Sequence, residues 1–135
     1  MHATDDRTPV TFITRYYLDK IKRLCDAHGT KLLFVTAPSP VNHTMQRHNE
    51  VQALADALAV PYLDLNLNTE ELGIDWNLDT LDGGDHLNYT GCQKATAYLQ
   101  WYMQTHYTLP DRRDDVRYEA WNKQAEEFEK LLPQP

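Results

Sequence analysis

Apolar positions recur at helical spacing early in the chain, at Ile13, Tyr17, Ile21 and Leu24, with His28 at the end of the stripe. That spacing predicts an amphipathic helix. Thr8 suits its N-cap, Pro9 its first position, where a missing N–H costs nothing, and Gly29 its C′ position. The pattern then changes. Residues 31–37 read Lys-Leu-Leu-Phe-Val-Thr-Ala and end at Pro38-Ser39-Pro40. An apolar run without alternation predicts a strand covered on both faces, as in a parallel sheet beneath helices, and the prolines stop it. Thr44 should cap a second helix to about Ala59 that buries Val51, Leu54, Ala55 and Leu58. Residues 61–65 follow as a second strand, and strand, helix, strand in this order predicts two parallel neighbours.

Residues 66–89 show little periodicity beyond one helical turn at 70–72. A loop this long inside a compact domain is usually functional. Thr90 is placed as the cap of a third helix to about Tyr107, with Ala95, Tyr98 or Leu99, Tyr102 and His106 turned inward and Pro110 closing it. After a charged stretch, Trp121, Ala125, Phe128 and Leu132 recur at spacings of four, three and four. They predict an amphipathic helix that packs back on the domain or on a partner. Residues 1–110 therefore read as an α/β domain, and 111–135 as a charged linker with a helical tail. Two strands leave apolar edges that invite pairing, whereas doubly wound domains carry around five. The expectation is the C-terminal part of a larger parallel sheet, completed by a missing N-terminal segment or by a homodimer.

A length of 135 residues bounds the chain at one domain. The net charge of −7, with no basic run, argues against a nucleic-acid surface. Nothing approaches the apolar length of a membrane span, and the polar, acidic first residues do not form a signal peptide. Cys25 and Cys92 are distant in sequence and fit no metal spacing, which suggests free thiols in a reducing, cytoplasmic compartment.

Candidate chemistry concentrates in residues 82–91, Asp-Gly-Gly-Asp-His-Leu-Asn-Tyr-Thr-Gly. A histidine acting as a base needs a carboxylate to fix its tautomer, and both Asp82 and Asp85 are near His86. Gly83 and Gly84 allow a sharp turn and close approach to a substrate. A surface turn ahead of a helix would use the same residue types.

Together with residues 36–40, Thr-Ala-Pro-Ser-Pro, this block resembles the C-terminal half of an SGNH (GDSL-type) hydrolase of bacteria. Arg47-His48-Asn49 and Leu63-Asp64-Leu65-Asn66 extend the resemblance, which covers residues 16–132. It implies a three-layer α/β/α, flavodoxin-like fold, and hydrolysis or transfer of acyl groups on small-molecule or carbohydrate esters, including cell-wall polymers. It also implies a serine nucleophile in an N-terminal Gly-Asp-Ser block, and an oxyanion hole built from that serine's N–H, a Gly and an Asn. His86 matches the general base. The family's Asp-x-x-His spacing would put the acid at Gly83, so Asp82 and Asp85 both stand as candidates. Asp82 is preferred, because an i,i+4 pair faces one way in a curled turn, while Asp85 would point towards a loop amide.

Ser39 is the only serine and sits between two prolines, where the family places no nucleophile. It reads as a loop residue, beside Asn42 in the same loop. Without a nucleophile His86 has nothing to deprotonate, so this chain alone should be silent towards esters. The other reading is a non-catalytic binding or oligomerisation module of the same fold. Asn88 suits a helix cap, or could hold the His86 loop. His43 and His48, five apart, could make a metal site with Asp64, but no third ligand has characteristic spacing, so neither a metal nor another cofactor is expected. His28 and His106 read as core or helix-end histidines, and Tyr16, Tyr17, Tyr98 and Tyr102 as helix–sheet packing.

Overall fold

A computed structural model describes residues 2–132. The protein is mixed α/β, and the chain divides into two compact units, the first ending at Leu99 and the second beginning at Gln100. No helix among the described residues is long and apolar enough to cross a membrane.

The first unit is built on a parallel pair, β1 (Phe34–Thr36) and β2 (Tyr62–Asp64), joined through α2 (Met45–Leu58). Phe34 pairs with Tyr62, Val35 with Leu63 and Thr36 with Asp64, so both strands end together. Thr44 caps α2 as expected, its side chain accepting from the Arg47 N–H. Leu54 and Ala55 of α2, with Val60, Leu63, Leu65 and Leu72, form the buried apolar core.

Two expectations about burial fail here for the same reason. β1 is not covered on both faces: Val35 is 41% exposed. α1 (Phe12–Ala27) leaves its predicted stripe of Ile13, Tyr17, Ile21 and Leu24 outward. A sheet of two short strands offers too little apolar surface to cover either. The inward face of α1 instead carries Leu18, Lys22 and Cys25, all half-buried. Arg15 shares that face and pairs with the buried carboxylate of Glu50 on α2. Tyr16 and Tyr17 are therefore surface aromatics, with rings packed edge to face at 5.4 Å, and not helix–sheet packing.

The N-cap of α1 is Thr11, not Thr8: its side chain accepts from the Thr14 N–H at 3.1 Å. Thr8 and Val10 lie along α2 instead, donating their N–H groups to the Gln46 carbonyl at 3.1 Å and to Glu50 at 3.4 Å. Gly29 does close the helix, at φ +64°. Thr30 N–H reaches back to the Cys25 carbonyl at 2.8 Å, which satisfies a terminal acceptor. His28 is the C-cap and is exposed.

After β2 come a tight turn at Leu65–Leu67 and the short α3 (Thr69–Leu72), then a long loop into α4 (Tyr89–His106), within which the boundary between the units falls. Along α4, Ala95, Tyr98, Leu99 and Tyr102 are half-buried. His106 is not: it stacks on Tyr102 at 4.1 Å, and its Nδ1–H donates to the Tyr102 carbonyl, as a helix-end residue does. In the second unit α5 (Glu119–Leu131) forms, starting two residues before Trp121, but Trp121, Ala125 and Phe128 of its expected packing stripe are exposed. Cys25 and Cys92 are both free thiols.

Candidate functional site

Asp79 organises the long loop. It lies between α3 and α4, is 2% exposed, and accepts from four directions. Its carboxylate takes the Asp75 N–H at 2.8 Å, the Lys94 ammonium at 2.6 Å and the Thr90 hydroxyl at 2.8 Å, while its carbonyl takes the Asn88 N–H at 2.9 Å. The Lys94 hydrogen bond above all holds the Asp79 carboxyl down at about 2. Gly91 makes the packing possible, since a Cβ there would come within 2.3 Å of the Asp79 carbonyl oxygen.

Asn88, not Thr90, is the cap of α4. Its side-chain oxygen accepts the Gly91 N–H at 3.1 Å, and its amide donates to the Leu78 carbonyl at 2.6 Å. One residue thus caps the helix and closes the loop base. An antiparallel bridge between Thr80 and Leu87 and a Leu81 N–H to His86 carbonyl bond of 2.9 Å complete that base.

The tip that remains, residues 82–86, carries the chemistry. Gly83 and Gly84 both adopt positive φ, +73° and +113°. Gly84 is pressed against the β1–α2 loop, where an added Cβ would lie 2.9 Å from Pro40 Cγ. The turn folds Asp82 back on itself: one carboxylate oxygen accepts the N–H groups of Asp85 at 3.1 Å and His86 at 2.8 Å, and the other meets His86 Nδ1 at 2.6 Å. A carboxylate only accepts, so Nδ1 carries the proton and Nε2 is left with the lone pair. The hydrogen bond to Asp82, with the charges of Asp85 and Asp82, raises the His86 pKa above its usual 6.5. The same contact lowers that of Asp82. The imidazole is open to solvent, with its side chain 69% exposed.

Asp85 has a different partner. One of its oxygens accepts from the Asn42 side-chain amide, and the other stands 3.6 Å from His86 Nδ1. Asn42 therefore joins the β1–α2 loop to the tip. Ser39, in the same loop, is held by its backbone: its N–H donates to Asn66 Oδ1 at 2.7 Å, and its hydroxyl accepts the Asn42 N–H at 3.1 Å. No hydrogen bond joins Ser39 to His86 among the described residues, and the serine shapes its loop.

The structure thus gathers His86, Asp82, Asp85, Gly83, Gly84 and Asn42 at the junction of two loops, with Ser39 and Asn88 supporting them from either side. The β1–α2 loop leaves the carboxyl end of β1, the side on which open parallel sheets bind ligands. Sequence pattern marks neither Asn66 nor Asp79 as a site residue. Asn66, two residues beyond the strand-ending Asp64, carried a faint signal of an Asx turn. Asp79, paired with a lysine fifteen residues away, carried none. A second cluster, His43, His48 and Asp64, lies at the end of β2 and at the start of α2, with its ligand atoms within 4.8 Å of one another. Comparison with family models, curated proteins and solved structures found no match for this chain.

Proposed function

We propose that this chain supplies the Asp–His half of an acyl-ester active site of the SGNH type, serving an esterase or O-acyltransferase that acts on a small-molecule or carbohydrate ester. The observation that carries the reading is the 2.6 Å contact between Asp82 and His86 Nδ1, which leaves Nε2 as the basic nitrogen of an exposed ring. In that role His86 Nε2 takes the proton of a serine hydroxyl and later returns it to the leaving group, while Asp82 orients the ring and stabilises the imidazolium. Asp85, tied to Asn42, adds negative charge beside the ring and helps to fix the tip.

The serine has to come from outside these 135 residues. An open groove of about 340 Å3 along β1, lined by Leu18, Leu33, Phe34, Thr36, Val51 and Tyr62, offers a place for a further strand. A parallel strand there would end beside the β1–α2 loop, as a flavodoxin-like sheet requires. The native protein that carries this chain should hydrolyse a fluorogenic acetyl ester, and His86→Ala should cost it about a thousandfold or more in kcat, the scale on which triad members act. Hydrolysis indifferent to His86→Ala, or no hydrolysis of any acyl ester, would overturn the reading.

A further inference from the structure

We propose that His43, His48 and Asp64 form a binding site for one divalent ion of the zinc class. His43 comes from the β1–α2 loop, His48 from the N-terminal end of α2, and Asp64 from the end of β2. His43 Nε2 and His48 Nδ1 lie 2.8 Å and 2.7 Å from the same carboxylate oxygen, Asp64 Oδ2. All three side chains are removed from solvent: 7% exposed for His43, 14% for His48 and 1% for Asp64. Two imidazole nitrogens and one carboxylate oxygen form a donor set that suits Zn2+ or Co2+ better than the all-oxygen sites of Mg2+ and Ca2+.

The same atoms also close without an ion, both imidazoles donating to Oδ2. Ligation needs the opposite neutral tautomers, Nδ1–H on His43 and Nε2–H on His48, so each proton moves within its ring and none is lost. An ion at about 2.0–2.1 Å from each donor separates tetrahedral ligands by roughly 3.3 Å, so the contacts open by about half an ångström. The outer shell is in place. Asp64 Oδ1 accepts the Asn66 backbone N–H at 3.0 Å and its side-chain amide at 2.9 Å, which fixes the orientation of the carboxylate and leaves Oδ2 for the ion. A neighbouring cavity of about 330 Å3, lined by Asn42, His43, Arg47 and Glu50 among others, has room for a water as a further ligand. The ion would tie β2, α2 and the β1–α2 loop together, and through Asn66 and Ser39 would set the loop that carries Asn42.

The test uses untagged, metal-stripped protein titrated with Co2+ and then competed with Zn2+. Expected are one equivalent bound per chain, the intense visible bands of four-coordinate Co2+, their loss on adding Zn2+, and a raised Tm. His48→Gln should abolish binding, and His86→Ala, which removes the imidazole of the exposed Asp82–Asp85–His86 cluster, should leave it unchanged. X-ray absorption of the loaded wild-type protein should show two imidazoles per ion, a readout that does not depend on how a variant folds. Failure to bind one equivalent, binding lost in His86→Ala but kept in His48→Gln, or a spectrum with fewer than two imidazoles would overturn the proposal.

Discussion

Asp64→Asn, measured without metal, isolates the electrostatics at the end of the sheet. Each carboxylate oxygen of Asp64 has two donors: His43 and His48 face Oδ2 at 2.8 and 2.7 Å, and the two Asn66 nitrogens face Oδ1 at 3.0 and 2.9 Å. An amide accepts on one side only. With its oxygen towards Asn66, the substituted side chain turns its NH2 to His43 and His48, which accept it by taking their opposite neutral tautomers, so hydrogen bonds to a charged group become bonds to a neutral amide in a site 1% exposed. At about 1 kcal/mol lost per bond when a charged acceptor becomes neutral, the four bonds give a deficit of roughly 2–4 kcal/mol after some relaxation. That is a large share of the roughly 5–15 kcal/mol that stabilises a typical domain. Burial pushes the Asp64 carboxyl up, but hydrogen bonds from Asn66 and His48 outweigh it, and its pKa ends below the usual 3.8. A group with a depressed folded pKa stabilises above its unfolded pKa and stops doing so as pH falls through the folded one. Urea unfolding in EDTA should therefore show the full deficit of Asp64→Asn at pH 7 and a shrinking deficit below about pH 4. A variant within about 1 kcal/mol of wild type at pH 7, or a deficit unchanged in acid, would refute the reasoning.

Other consequences concern the long loop. Gly84→Ala puts a Cβ on Pro40 at a φ of +113° and should cost about 1–3 kcal/mol by urea unfolding, with the larger effect on ester turnover because the tip is displaced. Asn88→Ala removes the α4 cap and the Leu78 contact together, so a loss of about 1–2 kcal/mol is expected, with hydrogen exchange rising first at Gly91 and in residues 78–81. Under the proposed function, kcat/KM for ester hydrolysis should rise with pH along a limb above 6.5, because His86 must lose its proton to act and Asp82 holds that proton on. Asp82→Asn should move the limb to lower pH and slow the reaction.

Local rules carried the sequence reading well where the cause was local. The βαβ order announced a parallel pair because β1 and β2 are joined by one capped helix, and the Thr44 cap and the Gly29 C′ position follow from the needs of a single helix end. Asp82 with His86 was legible for the same reason, four residues apart across two glycines. Burial was not local. The stripe on α1 has the right period, yet which face turns inward is decided by Arg15 finding Glu50, thirty-five positions away, and by how little sheet there is to cover. Spacing likewise hides Asp79 with Lys94, because a loop brings them together and no repeat marks them, while His43, His48 and Asp64 can be grouped by residue type but lack the spacing that would announce their convergence.

The pairing of Asp82 with His86 is tested most directly by nitrogen-detected NMR titration of the His86 ring in wild type and Asp82→Asn. Expected are the Nδ1–H tautomer in the neutral ring, a pKa above 6.5 in wild type, and a fall in that pKa when Asp82 is lost. An Nε2–H tautomer with a pKa that Asp82→Asn leaves unmoved would contradict the pairing.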